Sequence, residues 1–138
     1  MFEIVYDEIV IATTPLEKIR FENDRLSLSF DDISLNRVHV EFLNILAFKS
    51  TYEDLWNVDL LCKQCFYKDE GNHTRYRRNI YEITDSSWIE ELKKQGEDMF
   101  QEDFSLFHHY VLILGDKILE VICEKLCISD RSKKMSAK

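Results

Sequence analysis

The fold class this sequence predicts is α+β, a largely antiparallel β-sheet of about five to seven strands with one or two short helices and a C-terminal β-hairpin. Three observations carry it. Runs rich in β-branched and aromatic residues recur along the chain at strand length. Two segments open with Ser and place Glu three residues later, the reciprocal capping pattern of a helix start. The last third holds two apolar runs joined by Gly115-Asp116, with glycine at the first turn position as a type II′ hairpin requires. A chain of 138 residues buries about 65–70% of its unfolded surface around one core and is short for two, so residues 1–130 read as one domain.

In chain order, FEIVYDEIVIA (2–12) has the composition of one strand, or of two short ones meeting near Asp7. Thr14, Pro15 and Glu17 fit an N-cap with proline at the first position of a helix of one or two turns. After the polar ENDR (22–25), LSLSF (26–30) alternates apolar residues with serine, a strand with one buried face. DDISLN (31–36) reads as a turn. RVHVEFLNILAFK (37–49) is the longest strand, with Val38, Val40, Phe42, Leu46 and Phe48 on one side. Its other side turns apolar after Phe42, as in a central strand covered on both faces.

Ser50 and Glu53 form a capping box for a helix near 51–59, with Tyr52, Leu55, Trp56 and Leu60 at helical spacing. CKQCFYKDEGNHTR (62–75) is a polar loop, RYRRNIYEI (75–83) a strand, and Thr84 to Ser87 a turn. Ser87 and Glu90 then cap a helix over 88–95 that carries Trp88, Ile89 and Leu92 on one stripe and ends at Gly96, its charges ordered to suit the dipole. Phe100, Phe104 and Phe107 extend a helical spacing, and HYVLIL (109–114) with KILEVIC (117–123) makes the hairpin.

Composition excludes several chemistries. The chain has 3 glycines and 1 proline. Gly71, Gly96 and Gly115 lie too far apart for a phosphate-binding loop, a dinucleotide fingerprint or a nucleophile elbow. The formal charge is −8, but Arg131, Lys133, Lys134 and Lys138 sit in the tail, leaving 26 acids against 14 bases in residues 1–130 and a net of −12. Such a body repels nucleic acid and anionic lipid and suits a basic partner or plain solubility. Residues 131–138 read as a flexible basic tail. MFEIVYDEIV lacks the basic start and apolar core of a secretory signal, and the longest uncharged stretches fall short of a membrane span, so a cytoplasmic home with reduced thiols is expected.

The cysteines come first among groups that could carry chemistry. Cys62-x-x-Cys65 is one half of a zinc signature, and Cys123 and Cys127, with three residues between them, are the alternative second half; His73 could replace one ligand. Buried thiols explain the second pair more simply, so no cofactor is expected and zinc is the alternative. His108 and His109 are adjacent, which in a strand sends them to opposite faces, and His109 has no Ser, Cys or carboxylate at a spacing that nominates a partner. His39, between Val38 and Val40, reads as a core or edge histidine. RYRR (75–78) is the only basic island of the body, split between two strand faces. The acid pairs Asp31-Asp32, Glu53-Asp54, Glu97-Asp98 and Glu102-Asp103 describe an acidic surface rather than one acid and base dyad, and charge alone nominates these eight as partner-facing.

ITDSSWIEEL (83–92) followed by HHYVLILGDKILEVIC (108–123) resembles a pattern in small bacterial proteins regarded as immunity proteins of polymorphic toxin systems. It consists of a Ser-capped helix bearing Trp-Ile, His-Tyr opening a strand, a turn with Asp and a return strand with Glu-Val. The resemblance implies a protein that binds and blocks a cognate toxin, and no family site carries over residue by residue. An acidic, noncatalytic, protein-binding domain is therefore the expectation, with a zinc-stabilised domain or a small-molecule-binding domain or enzyme as alternatives.

Overall fold

The computed structural model describes residues 2–6, 9–12, 14–52, 66–76, 78–96 and 104–130. Its strands are β1 (Phe2–Tyr6), β2 (Lys18–Glu22), β3 (Arg25–Asp31), β4 (Arg37–Tyr52), β5 (Phe66–Lys68), β6 (Thr74–Tyr76), β7 (Ile80–Ile83), β8 (His108–Leu114) and β9 (Lys117–Asp130), with one helix, α1 (Ser87–Gln95), and a 3₁₀ turn at Phe104–Leu106. Seven strands form one antiparallel sheet in the order β1-β7-β8-β9-β4-β3-β2, and β5 and β6 pair as a separate ribbon. The fold is α+β and dominated by its sheet. Among the described residues no helix is long and apolar enough to cross a membrane.

Alternation in the sequence becomes the core. Leu26, Leu28 and Phe30 of β3 lie opposite Phe42, Val40 and Val38 of β4, all buried. Ile80, Leu112, Leu114, Leu119, Val121 and Cys123 complete the same cluster from β7, β8 and β9. Each such Leu or Phe contributes about 1.5–3 kcal/mol by leaving water. Segment 9–12 straps this core. The Ile11 amide donates to the Arg78 carbonyl beside β7, and the Ala12 amide to the Asp31 carbonyl at the end of β3.

The opposite face of β8 and β9 is buried as well, through Val111, Ile113, Ile118 and Ile122. This is why HHYVLIL and KILEVIC read as nearly unbroken apolar runs. The hairpin joining them closes on Leu114 and Lys117, with Gly115 at φ 55° as the expected turn demands. β9 then runs on to Asp130 as the long neighbour of β4, so Cys127 lies within the strand.

Several expectations are corrected. Thr14 to Glu17 form no helix: the Pro15 carbonyl accepts from the Asp31 amide, Leu16 takes φ 50°, and the chain enters β2. β2 itself was hidden because all five of its residues are exposed and present no buried alternation. Residues 50–52 continue β4, since their pairing with Leu119, Ile118 and Lys117 outweighs the capping signal at Ser50; the remainder of that expected helix lies outside the described residues. Within β4, Asn44 takes φ 56° and one extra residue is accommodated between Ile45 and Ala47, so Ile45 rather than Leu46 packs against the core. The polar loop holds the β5–β6 ribbon, and 75–83 divides between that ribbon and β7. The cap of α1 is Ser86, one residue earlier than expected, with its Oγ accepting from the Ile89 amide, while the helix ends at Gly96 as expected. Of the helical spacing Phe100, Phe104 and Phe107, the described part forms the 3₁₀ turn, where the Phe104 and Phe107 rings meet at 5.8 Å.

Candidate functional site

Among the described residues, two groups stand out against the pattern of apolar interior and polar surface. One is a chain of polar side chains inside. The other is a group of apolar side chains outside.

The interior chain runs between α1, β8, β9 and β4. The hairpin pairs His109 with Ile122 and Val111 with Glu120, so His109 and Glu120 are diagonal neighbours on one face. Ser86, three residues beyond Ile83, which pairs with His109, caps α1 above them. The His109 ring spans the two: its Nδ1 is 2.7 Å from Ser86 Oγ and its Nε2 2.9 Å from Glu120 Oε1. His109 is 4% exposed. Lys49 of β4 faces Glu120 across the ladder with Nζ 3.7 Å from Oε2, and lies 4.3 Å from the centre of the Trp88 ring, which meets the His109 ring edge-on.

One arrangement of donors and acceptors satisfies all these atoms at once. With Nε2–H donating to the Glu120 carboxylate, Nδ1 accepts from the Ser86 hydroxyl, which in turn accepts the Ile89 amide. A serine, imidazole and carboxylate in series is the order used by acyl-transfer enzymes, where the base abstracts the hydroxyl proton. Here the serine sits on Nδ1, its oxygen is engaged as a helix cap, and it is buried. The chain thus acts as a cross-tie that anchors α1 to the sheet. Ser86→Ala removes the cap and the donor to His109 together, and is expected to cost about 1–2 kcal/mol in a urea titration.

His108 points the other way, as its neighbour relation requires, with Nδ1 2.9 Å from Glu82 Oε2 and its ring stacked on Tyr110. Cys123 belongs to the core cluster; burial pushes its thiol up to about 12, and Sγ–H donates to the Lys125 carbonyl. Cys62 and Cys65 lie outside the described residues, among which no three metal-ligating side chains come together. His73 is bound up in its own turn, its amide donating to Asp69 Oδ1. An open hollow of about 410 Å³ on the outer face of β2, β3 and β4 is lined by Arg20, Glu22, Asn23, Arg25, Ser27 and Glu41, where Arg20 pairs with Glu22 and Arg25 with Glu41.

Of the acids nominated by charge, Asp31 pairs with Arg37 at 3.0 Å, and Asp32 Oδ1 accepts from the Ser34 and Asn36 amides to hold the β3–β4 turn. Both do structural work at that end of the sheet. Glu53, Asp54, Glu97, Asp98, Glu102 and Asp103 lie outside the described residues.

The exterior group was not foreseen. Leu16, Ile19, Phe21, Ile33, Leu35 and Phe48 are all exposed, and all belong to β2, its lead-in, the β3–β4 turn or β4. Ile19 and Phe21 lie opposite the core residues Leu28 and Leu26, and so continue the core face past its edge into solvent. The Phe21 and Phe48 rings meet at 5.0 Å. Leu16 and Leu35 hold φ 50° and 64°, a region costing a branched residue about 1–2 kcal/mol, and Leu35 does so while 83% exposed. No protein-family model, curated protein or solved structure matches the chain.

Proposed function

We propose that this chain is a noncatalytic protein-binding domain that takes its partner on the β2 end of the sheet. The observation that carries the reading is the exposed apolar group there, with Ile19, Phe21 and Phe48 continuing the core face into solvent. Exposed apolar side chains grouped on one face are a usual mark of a protein contact, and aromatic anchors contribute strongly to such contacts. Lys18, Arg20, Glu22 and Arg25 put the charge of the β2–β3 hairpin on the opposite face, leaving Ile19 and Phe21 together on this one.

The partner class follows from the resemblance of 83–92 and 108–123 to immunity proteins: a toxin, basic enough to be drawn to a chain of net charge −8. A cytoplasmic setting goes with it, where a neutraliser meets its toxin and thiols stay reduced.

Strain at Leu35 supports the same reading. Backbone strain at an exposed position, with no packing to compensate, fits a residue kept for contact. Leu35→Asn relieves it, because asparagine tolerates the left-handed region. The variant is expected to be about 0.5–1 kcal/mol more stable in a urea titration and to bind the partner more weakly. Unchanged binding would remove Leu35 from the contact surface.

The test of the function is co-purification of the tagged chain from its native host, with wild type and the Ile19→Lys/Phe21→Lys double variant in parallel. A stoichiometric protein recovered by wild type and lost with the variant supports the reading. Its recovery by both, or by neither, contradicts it.

A further inference from the structure

β2 ends the sheet, and among the described residues its outer side has no strand beside it. Its geometry says which backbone groups are left over. Asn23 and Asp24, both at positive φ, make the two-residue turn into β3, so the flanking pair Glu22 and Arg25 is hydrogen-bonded. Antiparallel pairs alternate, which turns the amides and carbonyls of Lys18, Arg20 and Glu22 toward β3 and those of Ile19 and Phe21 outward. An edge that displays its apolar residues and lacks proline or a bulge is open to another strand.

The sequence of β2, KIRFE, names the strand that fits. Turned antiparallel against itself about Arg20, it sets Lys18 opposite Glu22 of the second copy at both ends, and Ile19 opposite Phe21 of the second copy twice. The outward groups of Ile19 and Phe21 then meet their counterparts in four hydrogen bonds. One like-charge contact results, Arg20 on Arg20, and each arginine already carries the carboxylate of its own Glu22. The seam has a local charge of +1 per copy, in a chain of −8.

We propose that β2 pairs with β2 of a second copy of this chain, antiparallel and centred on Arg20, joining two seven-stranded sheets into one. A two-fold axis normal to the sheet keeps both copies of Ile19 and Phe21 on the same face, flanked by both copies of Phe48. The docking surface proposed above is then assembled from two chains and doubled in extent. That last step rests on the protein-binding reading; the pairing itself does not.

The experiment is sedimentation equilibrium of the full chain alone, with no partner present. Wild type is expected to be a dimer. Phe21→Pro removes an outward amide while leaving the β2–β3 bonds in place, and is expected to weaken the dimer at least tenfold, with an unchanged circular dichroism spectrum. Lys18→Glu sets carboxylates opposite one another twice and is expected to weaken it about tenfold, and the exchange Lys18→Glu/Glu22→Lys to restore it. Wild type monomeric at every concentration, or a dimer indifferent to Phe21→Pro and to the charge exchange, overturns the pairing. A dimer that follows these variants but recruits no host protein keeps the pairing and contradicts only the protein-binding reading.

Discussion

Replacing His109 by alanine is expected to destabilise the domain by about 3–5 kcal/mol, a large part of the roughly 5–15 kcal/mol available to a domain of this kind. The imidazole is the middle member of a buried series, so its loss strips two partners at once. Ser86 Oγ loses its acceptor at 2.7 Å, and Glu120 loses its donor at 2.9 Å while remaining enclosed by the apolar side chains of β8 and β9. Lys49 offsets little of this, because it is half-exposed and 3.7 Å away. The contrast that separates charge from packing is His109→Leu/Glu120→Leu. Removing donor and acceptor together leaves no stranded carboxylate, and the double variant is expected to be more stable than His109→Ala by at least about 2 kcal/mol. Urea titrations of the two proteins check this. Equal losses would mean that the polar series contributes only volume.

The second large effect concerns recognition. Ile19→Lys/Phe21→Lys is expected to weaken partner binding about 100-fold or more, since two exposed anchors become charges that an apolar contact would have to desolvate. The stability of the single chain should change by no more than about 1 kcal/mol, because there both side chains are already about half in water, Ile19 at 45% and Phe21 at 51% exposure. This pairing of a large effect on binding with a small one on melting separates a contact surface from a structural one. It is the reverse of what His109→Ala should do, and the two proteins measured side by side control for each other.

Parts of this arrangement were legible in the residues and parts were not, for physical reasons. The C-terminal hairpin was readable because Gly115 at its turn leaves only one register, and that register also places Glu120 diagonal to His109. The acid partner of His109 could therefore have been found from hairpin arithmetic, although no sequence spacing suggests it. Ser86 could not, because its place depends on the path of the chain from β7 to α1 and on a cap shifted by one residue. β3 and the first half of β4 showed themselves through alternation against the core. β2 did not, since a strand exposed on both faces carries no period of burial, and its importance lies in the apolar residues it leaves uncovered. In the same region Asp31 and Asp32, nominated by charge, also hold the Arg37 pair and the β3–β4 turn, a role that charge alone does not reveal.

Quantitative co-purification from the native host, with wild type and Ile19→Lys/Phe21→Lys in parallel, tests most directly whether the β2 end of the sheet is a recognition surface. One protein is expected, enriched in stoichiometric amount with wild type and reduced to background with the variant at equal expression of folded chain. A partner that binds both proteins equally well would contradict it.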